Sequence, residues 1–234
     1  MTTYSFSHFS DKGPYPENQD SLAIESRVDH IYACIADGVG GAAAGGDASK
    51  LATKFFVDEL AKESNSTMGL VSLIQEINNS LMNLNKDGVF TTFSGVSIAG
   101  NRLHGVHVGD TRVYVLRGNG ISQLTIDHTE LHRLVSEGKL SFEDAVTYPR
   151  KHVLESALGV QLKSRIDTFE FLLLPGDRVL LTTDGVHDAL SKLNLRDISK
   201  QSDSIDRYLE NIKNAIDSTG ATDNFSAIGI EILQ

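Results

Sequence analysis

A chain of 234 residues with 40% hydrophobic and 22% charged residues can bury a sizeable core and is too apolar for disorder. Its 31 acidic and 21 basic side chains give a net charge of −10, which argues against general nucleic-acid binding and attachment to an anionic membrane. The sequence contains no signal-peptide pattern and no run of about 18 apolar residues. Together with its single cysteine, Cys34, this predicts a cytoplasmic protein.

The first half of the chain predicts a buried strand, two amphipathic helices and a meander. Residues 30–36 form an apolar run rich in strand formers, which we expect to end in a tight loop at Asp37-Gly38. Apolar residues three and four apart predict helices over residues 47–60 and 70–84. From residue 91 to 124, short apolar runs alternate with Gly, Asn and Asp turns, which is typical of antiparallel strands.

The second half predicts helices over residues 130–138 and 205–216 and strands over residues 178–183 and 225–232. Strands gathered in blocks, with helices between the blocks, indicate α+β layering and not a βαβ alternation. No repeat, low-complexity tract or linker divides the sequence. We therefore expect a single domain over residues 1–234.

Five aspartates adjoin the predicted strand ends: Asp20, Asp37, Asp110, Asp184 and Asp223. Buried carboxylates that converge repel one another, and a cluster of hard oxygen ligands selects Mg²⁺ or Mn²⁺ over zinc. Asp37 and Asp184 each precede a glycine, which we expect to let the backbone turn sharply and offer its carbonyl to the same ion. Asp-Gly pairs are also ordinary turn residues, so a purely structural role stays open for each pair.

Eight short motifs follow one another along the chain. They are Asn18-Gln19-Asp20-Ser21, Asp37-Gly38-Val39-Gly40-Gly41, Thr91-Thr92, Gly109-Asp110-Thr111-Arg112-Val113-Tyr114, Asp127-His128, Val153-Leu154-Glu155-Ser156-Ala157-Leu158-Gly159, Asp184-Gly185-Val186-His187-Asp188 and Asp223-Asn224-Phe225-Ser226. The motifs occur in the same order as in the bacterial branch of the type 2C metal-dependent (PPM) serine/threonine protein phosphatases, which the chain resembles from residue 17 to 230. The resemblance implies a four-layer αββα sandwich, in which two antiparallel β-sheets pack face to face between helices.

The resemblance also implies a metal site with two ions of Mn²⁺ or Mg²⁺ in its core and a weaker third ion. The implied metal ligands are Asp20, Asp37, Gly38, Asp110, Asp184 and Asp223. Asp37 would bridge the core ions, with Asp184 and Asp223 as the other catalytic residues. Asp110 would hold the third ion with Asp184, Asp20 would act through bound water, and Asn224 would orient its neighbour from behind the ligands.

The implied reaction is hydrolysis of phosphoserine and phosphothreonine in proteins by a metal-activated water, without a covalent intermediate. The sequence agrees, because Cys34 is predicted within a strand and no Gly-x-Ser-x-Gly elbow exposes a serine. The implied partners are phosphorylated proteins, including substrates of a cognate serine/threonine kinase, with no nucleic acid and no membrane. We expect the protein to act as a monomer.

Three residues depart from the family pattern. Tyr15 stands where many members hold an arginine that grips the phosphate, and Gln19 stands where many hold a glutamate near the second metal. Val39 replaces a histidine that is credited, in eukaryotic members, with protonating the leaving group. The phosphate clamp and the proton donor are therefore unassigned, and a catalytically dead relative that binds phosphoproteins or regulates them stays open. Retention of the mutually repelling aspartates argues against that alternative.

Two other interpretations are weaker. Residues 127–158 resemble the family's flap, a segment that shapes substrate access, and its His128 and His132 lie four apart as a zinc pair would. No glutamate follows His128, and no third ligand is evident. Residues 38–43 fit the Gly-x-Gly-x-x-Ala of dinucleotide sites. The charge of Asp37 and the antiparallel meander argue against that fold.

Overall fold

The computed structural model describes residues 3–40, 44–62, 67–84, 89–160 and 165–233. Within these ranges the chain forms eleven strands and seven helices. The strands are β1 (Tyr4–Asp11), β2 (Asp20–Arg27), β3 (His30–Val39), β4 (Phe90–Thr91), β5 (Phe93–Ala99), β6 (Arg102–Val108), β7 (Arg112–Arg117), β8 (Gly120–Gln123), β9 (Asp167–Leu172), β10 (Arg178–Thr182) and β11 (Phe225–Ile232). The helices are α1 (Ala44–Leu60), α2 (Thr67–Leu84), α3 (Glu130–Ser136), α4 (Phe142–Ala145), α5 (Asp184–Ala189), α6 (Lys192–Lys200) and α7 (Ile205–Thr219).

The strands form two antiparallel sheets. The first sheet has the order β1-β11-β10-β7-β8, and the second has the order β2-β3-β5-β6-β9, with β4 paired to the end of β3. Neighbouring strands in the described part of the chain all run antiparallel. A dinucleotide-binding fold needs a parallel sheet, so the arrangement excludes that interpretation.

Strand β3 shows why the sheets are covered on both faces. Ile31, Ala33 and Ile35 point into the core between the two sheets. Tyr32 and Cys34 alternate with them and point into a second core, which α1 and α2 cover. The alternation follows from the two-residue period of a strand. A third core lies between the first sheet and helices α5, α6 and α7, so the four layers are arranged αββα, as expected.

Helix α7 ends near the loop that leads to the predicted site. Its buried side chains recur three and four residues apart, as a helix packed on one face requires: Ile205, Tyr208, Leu209, Ile212 and Ile216. The Ser204 hydroxyl accepts a hydrogen bond from the N–H of Arg207 and caps the first turn. At the other end Gly220 has a positive φ of 85°, which ends the helix, and the chain then continues to Asp223.

The sequence prediction was wrong about the end of β3. We expected a tight loop at Asp37, but the strand continues through Gly38 to Val39, because these two residues pair with Thr91 and Phe90 of β4. Elements β1, β9, α4, α5 and α6 were not predicted, and β2 was anticipated only through the position of Asp20. Most are short or half-exposed, so their apolar periodicity is weak. No helix within the described residues has the length and apolar character needed to cross a bilayer.

Candidate metal centre

The predicted aspartates meet at one edge of the sandwich. In the second sheet, Asp20 begins β2 and pairs directly with Asp37 of β3. In the first sheet, Asp184 follows β10 and Asp223 precedes β11, the neighbouring strand. Asp110 lies in the connection between β6 and β7. Since the two sheets face each other, side chains from both converge, as the positions at strand ends predicted.

A hydrogen-bond chain crosses from one sheet to the other at this edge. The Thr183 hydroxyl donates to Asp20 Oδ2 over 2.8 Å and accepts the N–H of Ser226 at 3.0 Å. Asp20 is 5% exposed, and its Oδ1 is buried with no hydrogen-bond partner in the described part of the chain. A buried carboxylate oxygen without a partner is costly. A divalent cation or a water bound to one would satisfy it, so the residues present fit such an ion.

Burial and mutual repulsion raise the pKa values of four of these aspartates. Burial raises the pKa of Asp20 to about 7 and that of Asp184 to about 6, and the charge of Asp223 acts in the same direction on both. Burial likewise raises the pKa values of Asp37 and Asp110 well above the usual range, reinforced by the charge of Asp184. Such a cluster binds protons or cations near neutral pH. Its hard oxygen ligands suit Mg²⁺ and Mn²⁺.

A second group of ligands includes a residue that sequence reasoning missed. Asp110, His152 and Asp184 each offer one ligand atom, and these atoms lie within 4.8 Å of one another. His152 also places Nε2 3.3 Å from Asp188 Oδ2. Among the described residues no other trio is this compact, so Asp20, Asp37 and Asp223 converge less closely. His152 lies outside any regular element, and only its place in the predicted flap could have signalled it.

Two glycines beside the aspartates serve close packing and not a sharp turn, which corrects the sequence prediction. Neither Gly38 nor Gly185 has a positive φ. A Cβ at Gly38 would lie 2.1 Å from the carbonyl oxygen of Gly45 in α1, and a Cβ at Gly185 would lie 2.1 Å from that of Asn224. Glycine is needed here because the backbones that carry the ligands approach each other closely.

A cleft of about 390 Å³ opens beside the aspartates. Tyr15 lies in its wall and is 49% exposed, so the residue in the place of the expected phosphate-binding arginine does face the predicted site. None of the described residues that line the cleft carries a positive charge. The lining residues are Tyr15, Pro16, Glu17, Gln19, Asp37, Gly38, Val39, Gly40, Asp223 and Asn224.

Asn224 holds the loop that forms one wall of this cleft. Its Oδ1 accepts the N–H of Gln19 at 2.8 Å, and its Nδ2 donates to the carbonyls of Lys12 (2.7 Å) and Glu17 (3.2 Å). Sequence reasoning placed Asn224 behind the ligands as a group that orients its neighbour. The structure shows that its side chain fixes residues 12–19 against the loop that contains Asp223.

The histidine pair that resembled a zinc site has another role. His128 Nδ1 accepts the N–H of Gly109 at 3.2 Å, and its Nε2 lies 3.2 Å from Asp167 Oδ2. Neither His128 nor His132 belongs to a three-ligand group in the residues that the structure describes. His128 therefore supports the loop that precedes Asp110.

An antiparallel αββα sandwich, with a cluster of buried and half-buried aspartates beside a cleft at the edge of its sheets, fits a metal-dependent hydrolase of phosphate esters. The model of one family, described as protein phosphatase 2C, matches residues 15–225. This chain belongs to the protein phosphatase 2C family.

Sequence relatives cover nearly the whole chain. The serine/threonine phosphatase stp of Listeria welshimeri is 31% identical over 96% of this chain and 90% of its own length. Protein phosphatase PhpP of Streptococcus pneumoniae is 28% identical over 89% of each protein.

Solved structures show the same architecture. The S. agalactiae serine/threonine phosphatase superposes with a TM-score of 0.91 at 25% identity, over 99% of this chain and 100% of that one. The catalytic domain of the phosphatase PstP in complex with two manganese ions has a TM-score of 0.85 at 26% identity, over 100% of both chains. The four-layer fold inferred from the sequence is thus confirmed.

Proposed function

We propose that this protein is a metal-dependent phosphatase that hydrolyses phosphoserine and phosphothreonine in protein substrates. The observation that carries the proposal is the cluster of interacting aspartates from both sheets, which includes Asp20 with its unpartnered Oδ1. The phosphatase names of the Listeria and Streptococcus relatives support the reaction, and the manganese ions of PstP support Mn²⁺, with Mg²⁺ as the chemically similar alternative.

The proposed ligand roles are those that the family resemblance implies, and the positions of the carboxylates support them. Asp37, Asp184 and Asp223 would hold two core ions, together with the Gly38 carbonyl, and Asp20 would reach them through water. Asp110 and Asp184 would hold a weaker third ion, and His152 completes that group from the flap. When bound, the metals lower the pKa of a water molecule and neutralise the phosphate oxygens.

The chain's own residues prepare the site for that chemistry. Thr183 donates a hydrogen bond to one oxygen of Asp20, and the other oxygen, Oδ1, has no hydrogen-bond partner among the described residues. Asn224 holds the cleft wall in place. Cys34 is buried, and burial raises the pKa of its thiol well above the ordinary value. A cysteine nucleophile is therefore unnecessary and inaccessible, which agrees with direct attack by water.

We further propose that the protein acts in the cytoplasm as a monomer, on proteins phosphorylated by a cognate serine/threonine kinase. The single cysteine suits a reducing compartment. The shared core between the two sheets supports the expected single phosphatase domain over residues 1–234.

A direct test is the turnover of p-nitrophenyl phosphate and of a phosphothreonine peptide with Mn²⁺, Mg²⁺ or EDTA. We expect turnover with either metal and none with EDTA. The protein with Asp37→Asn is the matched control, because it changes one ligand and keeps the side-chain shape. Absence of turnover with every metal would favour the binding or regulatory alternative.

A further inference from the structure

The outer wall of the cleft consists of Tyr15, Pro16 and Glu17, which we call the Tyr15–Glu17 wall. Tyr15 is 49% exposed, and Glu17 is also exposed. Glu17 takes part in no ion pair within the described part of the chain. An aromatic face and a free carboxylate therefore stand beside the place that the proposed function gives to the phosphorylated residue.

This wall is held rigidly against the metal centre. The Glu17 carbonyl accepts the Asn224 amide, and the N–H of Tyr15 donates to the Lys12 carbonyl at 3.2 Å. A Cβ at Gly13 would lie 2.2 Å from the carbonyl oxygen of Asp223, so the loop packs directly on the backbone of that aspartate. A substrate that contacts the wall does not have to order it first, which favours selective binding.

The charges that line the cleft determine what can lie along the wall. Its carboxylate side chains among the described residues are Glu17, Asp37 and Asp223. The two aspartates would be neutralised by metal, whereas Glu17 keeps its charge for the substrate. An acidic residue next to the phosphorylated one would be repelled by Glu17. A lysine or arginine there would pair with Glu17 and could lie over the ring of Tyr15.

We propose that the Tyr15–Glu17 wall is a specificity subsite that selects phosphopeptides with a lysine or arginine beside the phosphorylated residue. The proposal rests on the proposed function, since the phosphate must lie at the metal centre for its neighbours to reach the wall. One exposed ion pair and one cation–π contact together predict a preference of roughly three- to thirtyfold in kcat/KM for a basic over an acidic neighbour. Salt should weaken the preference, because both contacts are near the surface.

The test uses two phosphothreonine peptides that differ only in whether arginine or glutamate flanks the phosphorylated residue. The readout is the ratio of their kcat/KM values at low salt. We expect Glu17→Gln to bring the ratio toward one and Glu17→Lys to invert it. Glu76→Lys makes the same charge change at an exposed site on α2, away from the cleft, and should leave the ratio at its original value. Tyr15→Leu should lower the ratio but leave it above one, because it removes the cation–π contact and keeps the ion pair with Glu17.

Two results would overturn the proposal: a ratio near or below one in the unmodified protein, or an equal ratio in the Glu17→Lys and Glu76→Lys proteins. Turnover of p-nitrophenyl phosphate in the same preparations separates this failure from failure of the proposed function. Metal-dependent turnover of that ester with no peptide preference refutes the subsite alone. No turnover of any ester refutes the phosphatase assignment, and the subsite with it.

Discussion

Replacing Thr183 by valine removes one buried hydroxyl and almost no volume. That hydroxyl donates to Asp20 Oδ2 and accepts the N–H of Ser226, and Thr183 has no exposed surface. Valine can do neither. Asp20 would then keep its buried position at the metal centre with no donor from Thr183 on Oδ2, and its Oδ1 already lacks a partner in the described structure.

The two hydrogen bonds that valine cannot make determine the expected loss of stability. A hydrogen bond to an ionised carboxylate is worth about 1.5–3 kcal/mol, and leaving the Ser226 N–H without its acceptor costs about 1–3 kcal/mol more. The free energy of unfolding of the metal-loaded protein should therefore fall by roughly 2.5–6 kcal/mol. The hydrogen bond from Thr183 stabilises the ionised carboxylate of Asp20, which is the form that binds a cation. We accordingly expect Mn²⁺ affinity to fall roughly ten- to hundredfold.

Thr183→Ser is the matched control, because it keeps both hydrogen bonds and loses one buried methyl group, worth about 1 kcal/mol. Mn²⁺ affinity is measured by titration calorimetry, and stability by urea unfolding with Mn²⁺ and with EDTA. The serine protein should bind Mn²⁺ almost as the unmodified protein does. If the valine and serine proteins bind Mn²⁺ equally well, the hydroxyl does not prepare Asp20 for metal and the reasoning is refuted.

Five further substitutions test the centre and its surroundings. Asp37→Asn and Asp184→Asn should each abolish turnover while circular dichroism stays native, because a neutral amide is a weaker ligand for a hard dication; near-normal activity in either would falsify the assignment. Asp110→Ala should lower turnover while elemental analysis still finds two tightly held metals, and loss of all metal would place Asp110 in the core site. Burial lowers the pKa of His107 to about 3 in the folded protein. The neutral imidazole therefore contributes its full stability above the unfolded pKa of about 6.5. As the pH falls from there toward 3, the free energy of unfolding decreases by up to about 1.4 kcal/mol per pH unit. His107→Gln should remove that part of the slope in urea unfolding with EDTA, and an unchanged slope would contradict it. Tyr15→Arg should raise kcat/KM on a small phosphate ester by severalfold to a hundredfold, since it adds a charged hydrogen-bond donor beside the phosphate; no change would show that the cleft wall does not reach the phosphate.

Four of the five aspartates could be placed from the sequence, because each adjoins an apolar run whose period is visible there: Asp37, Asp110, Asp184 and Asp223. Asp184 follows the strand of Val179 and Leu181, and Asp37 lies near the end of the strand of Ile31 to Ile35. Such runs must be buried, so their ends lie at the edges of sheets. The order of the motifs then supplied the family, and with it the pairing of the two sheets.

What the sequence could not supply depends on contacts between distant segments. The register that sets Asp20 opposite Asp37 is fixed by strand pairing, and Thr183 meets Asp20 across 163 positions of the chain. The reason for Gly38 was also inaccessible, because a glycine in a sequence does not reveal whether it serves a turn or a close approach. His152 has no periodic or motif context, so only the three-dimensional arrangement brings it to Asp184.

Residues 127–158 are attached at both ends beside the proposed metal ligands, and the segment between these ends exposes an apolar side chain. At its start the His128 N–H donates to the Gly109 carbonyl at 2.7 Å, next to Asp110. At its end the Leu158 N–H donates to the Thr91 carbonyl at 2.8 Å, and the Thr91 hydroxyl donates in turn to the Asp37 carbonyl. The apolar side chain of Phe142, between these two anchors, is 81% exposed. Because both ends are fixed beside proposed metal ligands, substitutions at the exposed surface around Phe142 should leave the aspartates of the centre in place.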